Sequence, residues 1–158
     1  MTQLEHALAR GHAQRGFTLV ELVAVLVILG IVAAVAAPRF VATAVFNERG
    51  YADEIAASLR YAQRVAIASE CNVRFTVNAA AYSAAQPTAQ CNPATGWGTP
   101  VQSPDRTLLT NATPAGVAVN AVVFDFNGAG ALVNPAGPVN VGVFVVSVNA
   151  ATGAVTVQ

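Results

Sequence analysis

Lysine is absent from this chain: its eight cations are all arginine, and charged residues make up only 10% of 158 positions. Eight acids balance them, so no domain-wide basic field exists to draw in nucleic acid or anionic lipid. The two histidines, His6 and His12, both lie near the amino terminus. Ser69, Ser83, Ser103 and Ser147 stand in no motif, and Asp105 and Asp125 are isolated in sequence. Asp125, next to Phe126-Asn127-Gly128, reads most simply as a cap on a turn. No glycine-rich phosphate loop follows a strand. The pattern supports no enzyme, no metal centre and no cofactor. Cysteine is scarce too, limited to Cys71 and Cys91, with neither C-x-x-C spacing nor a nearby histidine to suggest zinc or dithiol chemistry.

What the chain has in abundance is apolar residues, at 54%. They concentrate in one run. From Leu22 to Ala37 every residue is apolar or glycine, and Glu21 is the one charge between Phe17 and Ala37. As a helix, residues 17–37 reach roughly 31 Å, about the hydrocarbon thickness of a bilayer. No polar face interrupts the run, as a helix of a soluble core would require. The sixteen residues ahead of it carry Arg10 and Arg15 against a single acid, Glu5, so that end is expected to stay in the cytoplasm while the rest crosses.

Two processing schemes compete. A secretory signal would be cut after the run, and Ala34-Val35-Ala36 offers a site, though Pro38 just beyond it is unfavourable. The other scheme cuts before the run, between Gly16 and Phe17, and keeps the helix. Glu21 favours the second: a carboxylate inside an apolar helix costs about 2.5–3.5 kcal/mol at mid-membrane and less near its end, with no use in a discarded segment.

Gly16-Phe17-Thr18-Leu19-Val20-Glu21 followed by an apolar helix resembles the class III signal of type IV pilins and type II secretion pseudopilins. The resemblance implies cleavage after Gly16 by a prepilin peptidase and N-methylation of Phe17. It also implies an assembly role for Glu21, whose carboxylate would meet the amine of a neighbouring subunit and set axial register. Gly30 and Pro38 correspond to points where the helix can loosen. The segment 59–68, Leu-Arg-Tyr-Ala-Gln-Arg-Val-Ala-Ile-Ala, further resembles the GspH/FimT group and the MSHA-type minor pilins.

Beyond the apolar run, residues 47–50 form a polar interval where the helix could bend, break or continue. From 51 to 69 the pattern is amphipathic, with Ala52, Ile55, Ala56, Leu59, Ala62, Val65 and Ala66 clustering on one side. Strand chemistry then takes over. Val73, Phe75 and Val77 alternate with Arg74 and Thr76, Tyr82 lies on a weaker strand, and 86–105 reads mainly as loop around Trp97, which is expected to pack in the core or its loop in preference to forming an exposed adhesive contact. Residues 107–110 and 117–119 are short candidates. The segment 121–126, closed by Asn127-Gly128, is a stronger one, and 139–148 is the longest, pairing with 154–157.

The expected organisation is a leader at 1–16, a transmembrane and assembly helix at 17–38, its amphipathic continuation at 39–70, and a β-rich periplasmic domain at 71–158. The resemblance agrees with the α+β ladle of pilins, a long helix packed on an antiparallel sheet. Without the leader the chain carries six arginines against seven acids, a net charge of −1. Export would permit a Cys71–Cys91 disulfide, and closing a loop of about 20 residues contributes roughly 3 kcal/mol. The implied function is a structural, minor subunit of a type IV pilus-like filament. The alternative is a GspH-like pseudopilin of a type II secretion system. The implied partners are other pilin or pseudopilin subunits, the prepilin peptidase, an inner-membrane assembly platform, and membrane lipid before assembly. Arg106 is the only arginine after Arg74, too little for a nucleic-acid footprint.

Overall fold

The structure is a computed structural model that describes residues 17–89, 91–134 and 136–158, with residues 35–43 described as backbone only. The leader, with Gly16, His6 and His12, lies outside the described residues. The chain divides into two units, Met1–Arg39 and Phe40–Gln158.

Helix α1 runs over Leu19–Ser69. Its backbone is helical through Gly30 and Pro38, and the polar interval 47–50 continues it without a break. It ends where Glu70 adopts a positive φ of 53°, the left-handed turn that commonly closes a helix. In the second unit the helix buries Tyr51, Ala52, Ile55, Ala56, Leu59, Ala62 and Ala66. These positions recur at the spacing of one helical face, and small alanines let the sheet approach closely.

The β elements are β1 (Val73–Val77), β2 (Ala81–Gln86), β3 (Thr99–Pro100), β4 (Thr110–Ala112), β5 (Val122–Phe126), β6 (Val139–Val141), β7 (Phe144–Val148) and β8 (Val155–Val157). One antiparallel sheet has the order β3-β2-β1-β5, with β4 also paired to β2; the other has the order β6-β7-β8. Val73, Phe75, Val77, Tyr82, Phe124 and Phe126 project inward from the first sheet, and Val139, Val141, Val146 and Val155 from the second. All join the helical residues in a single core, an α+β arrangement with the helix packed on antiparallel strands.

Three expectations change. The apolar segment 139–148 is two strands: Gly142 takes φ +56° at the first position of a two-residue loop, and Val141 pairs with Phe144. Glycine there suits the tight hairpin loop, so the chain reverses where side-chain pattern alone suggests continuity. The strand sought at 107–110 begins at Thr110, because 102–108 forms its own small hairpin through the Gln102–Leu108 bridge. Residues 117–119 contribute only the Val119–Val141 bridge.

Candidate assembly segment

The start of α1 is built by Thr18. Its Oγ1 accepts a hydrogen bond from the Glu21 amide at 3.2 Å, and its carbonyl accepts the first intrahelical bond, from Leu22, at 3.1 Å. Thr18 is thus the N-cap and Glu21 the third helical residue, the spacing of a capping box. A carboxylate in the first turn also complements the positive end of the helix dipole. Glu21 therefore carries its charge at the place in an apolar helix where it is least costly.

Every described side chain from Phe17 to Ala34 is exposed, with Phe17 and Leu19 at 78%. A β-carbon at Gly30 would meet nothing within 4 Å. This surface is almost wholly aliphatic, with no partner among the described residues. Among the described residues no helix is long and apolar enough to cross a membrane. The apolar helical stretch with described side chains covers residues 19–34, about 24 Å at the helical rise, short of a hydrocarbon core of about 30 Å. The side chain of Pro38 lies outside the described residues.

Cys71 and Cys91 form a disulfide across a separation of 20 residues. It joins the start of the β region to the segment that follows β2. Two further clusters escaped sequence reasoning. On the outer face of the first sheet, Arg74 Nε and Nη2 donate to the two carboxylate oxygens of Asp125, each at 2.7 Å, and the Arg74 guanidinium lies 4.4 Å from the centroid of Trp97. The hydrogen bonds to Asp125 raise the Arg74 pKa. Asp125 therefore forms an ion pair and does not cap a turn; Asn127 does that work, its Oδ1 accepting from the amides of Ala129 and Ala131. Trp97 is half-buried and lies against Arg74.

Beneath the sheet, Tyr82 donates to Glu54 Oε1 at 2.7 Å and accepts from Ser58 Oγ at 3.1 Å, while Asn111 Nδ2 also donates to Glu54 Oε1. Burial, opposed by the Ser58 bond and aided by Glu54, pushes the Tyr82 hydroxyl up to about 12. These groups satisfy one another. A pocket of about 280 Å³ lined by Ser83, Ala85, Pro100, Leu108 and Thr110 holds no titratable group. Among the described residues no cluster of His, Cys, Asp or Glu could hold a metal ion. The distinctive chemistry of the chain lies in its amino-terminal segment.

Residues 11–37 match a family model described as the prokaryotic N-terminal methylation motif. Neither curated proteins nor solved structures give a match. Over residues 11–37 this chain carries the class III methylation signal found in precursors of type IV pilins and pseudopilins.

Proposed function

We propose that the chain is a structural, minor subunit of a type IV pilus-like filament. A prepilin peptidase cuts between Gly16 and Phe17, the new terminus at Phe17 is N-methylated, and the apolar part of α1 holds the subunit in the inner membrane. The globular domain faces the periplasm. An assembly platform then moves the subunit into the filament, where the same apolar surface exchanges lipid for the helices of neighbours.

The observation that carries this reading is the exposed aliphatic stretch of α1 with Glu21 as its one charge, the fifth residue after the proposed cleavage junction. An unpaired carboxylate among packed apolar helices costs several kcal/mol, so the arrangement calls for a cation. The amine created at Phe17 of an adjoining subunit is such a cation, and the pairing sets axial register while apolar contact supplies most of the attraction. Gly30 and Pro38 let the helix adjust as packing changes.

Intact-mass and N-terminal peptide analysis of protein from native membranes tests the proposal. A chain beginning at N-methylated Phe17 is expected. A chain beginning near Ala37 would make this an ordinary secreted domain and end the filament reading.

A further inference from the structure

The segment 91–101 is tied to the rest of the domain at three successive points. Cys91 is bonded to Cys71, Trp97 lies over Arg74 at 4.4 Å, and Thr99–Pro100 pairs with Ala85 and Gln86 on the edge of β2. The last tie is short. β3 has two residues, both exposed; Val101 after it is buried in the core, donates to the Ala84 carbonyl at 2.9 Å and accepts from the Leu109 amide at 2.8 Å. Two residues of antiparallel pairing cannot hold a strand by themselves. Their position depends on Val101 at one end and on the two anchors that precede them at the other.

Those anchors differ in kind. The Arg74 guanidinium is already fixed by its two bonds to Asp125, so it offers Trp97 a rigid platform at little further ordering cost. The disulfide acts by closing the chain, which keeps Trp97 near that platform. Cys91 is exposed and held at a positive φ of 58°, so its sulfur lies on a surface segment where a thiolate can approach.

We propose that the Cys71–Cys91 bond is a redox latch on the edge of the first sheet. Closed, it seats Trp97 on Arg74 and keeps β3 over the β2 edge at Ala85 and Gln86. Opened by a dithiol, it releases 91–100 up to the buried Val101 and uncovers that edge, which then presents unpaired backbone groups to another chain. The chemistry balances within the exchange. A thiolate of the dithiol attacks one cysteine sulfur, and the mixed disulfide resolves by attack of the second thiol. The products are two cysteine thiols and the oxidised dithiol, with two electrons and two protons passing to the protein. The domain thus acquires its protected edge only when oxidised. This inference stands independently of the filament reading.

The test uses the full chain in detergent, before and after dithiothreitol, with the Cys71→Ser/Cys91→Ser double variant alongside. Trp97 is the sole tryptophan, so its emission reports the latch directly. Reduction is expected to shift the emission to the red. Hydrogen exchange at the Thr88 amide, now bonded to Gly96, should accelerate on the order of a hundredfold, the factor that loop closure of this length contributes, while the amide of the buried Val101 should change far less. Exchange in Val73–Val77 and Val122–Phe126 should hardly change. The Arg74→Ala variant, with its disulfide intact, should show the emission shift without a comparable rise at Thr88. Unchanged emission and exchange after complete reduction would overturn the latch. Equal loss of protection throughout the sheet would overturn it as well, because the disulfide would then be a general staple.

Discussion

Arg74 and Asp125 stand directly opposite each other on β1 and β5, and their side chains meet through two parallel hydrogen bonds of 2.7 Å. They lie 51 residues apart in sequence. The carboxylate side chain is 11% exposed and the guanidinium 36%, so the pair is partly screened by water. Truncating Asp125 leaves a half-buried guanidinium facing the sheet without its acceptor.

Asp125→Ala should therefore lower the unfolding free energy by about 1–3 kcal/mol, less than a fully buried pair would cost. The fall is read from the urea midpoint at neutral pH. Raising the salt concentration should shrink the difference from wild type only slightly, because bidentate geometry survives screening better than a loose surface contact.

Tyr82 gives the domain an alkaline limit. Its folded pKa of about 12 exceeds the unfolded value of 10.0, chiefly through burial. Between those values the unfolded chain loses the proton while the folded one keeps it. The stability contributed by the buried neutral hydroxyl is thus complete below about pH 10 and falls as pH rises toward 12. Tyr82→Phe should flatten that slope. At neutral pH it should cost about 1–2 kcal/mol, since Ser58 and Glu54 lose a partner. Thermal unfolding followed between pH 8 and roughly 11.5 checks both outcomes.

Gly142 turns β6 into β7 at φ +56°, and a side chain there would run into the Glu48 carboxylate. Gly142→Ala should destabilise by about 1–2 kcal/mol from backbone strain alone, and more if Glu48 cannot move aside. Adding Glu48→Ala should recover the steric part and leave the backbone part, a separation that a double-mutant cycle resolves.

For Glu21 the expected loss is one of assembly and not of folding. Glu21→Gln keeps size and polarity but removes the charge, and it lies outside the packed core. Processed subunit should still accumulate in the membrane fraction, while its recovery in sheared filaments drops by at least about tenfold, the equivalent of about 1.4 kcal/mol. Comparing immunoblots of the two fractions checks this. Normal filament recovery would show that charge pairing at Glu21 does not drive assembly.

Much of the helical side of this protein was legible beforehand. The buried positions from Ala52 to Ala66 follow a local repeat, which helical geometry turns into one face whatever lies opposite. Val65 is the partial exception, half-buried at the margin of that face. The alternation Val73-Arg74-Phe75-Thr76-Val77 likewise gave β1 its inner and outer sides. Strand ends were harder. Whether 139–148 continues or folds back depends on the backbone of one glycine, and a valine-rich alternation looks the same in either case.

The sequence by itself determined the apolar run, the single carboxylate of Glu21 near its start, and the methylation signal across 11–37. Each depends on residues within a few positions of one another, where covalent spacing and helical period leave little freedom. Tertiary structure alone decided that Arg74 meets Asp125 beneath Trp97, that Tyr82 reaches Glu54 and Ser58, and that β3 pairs with the edge of β2. Those relationships join segments tens of residues apart, and sheet register selects them. A shift of one residue along β5 would put Asp125 on the opposite face from Arg74, and nothing in the local sequence of either strand records that choice.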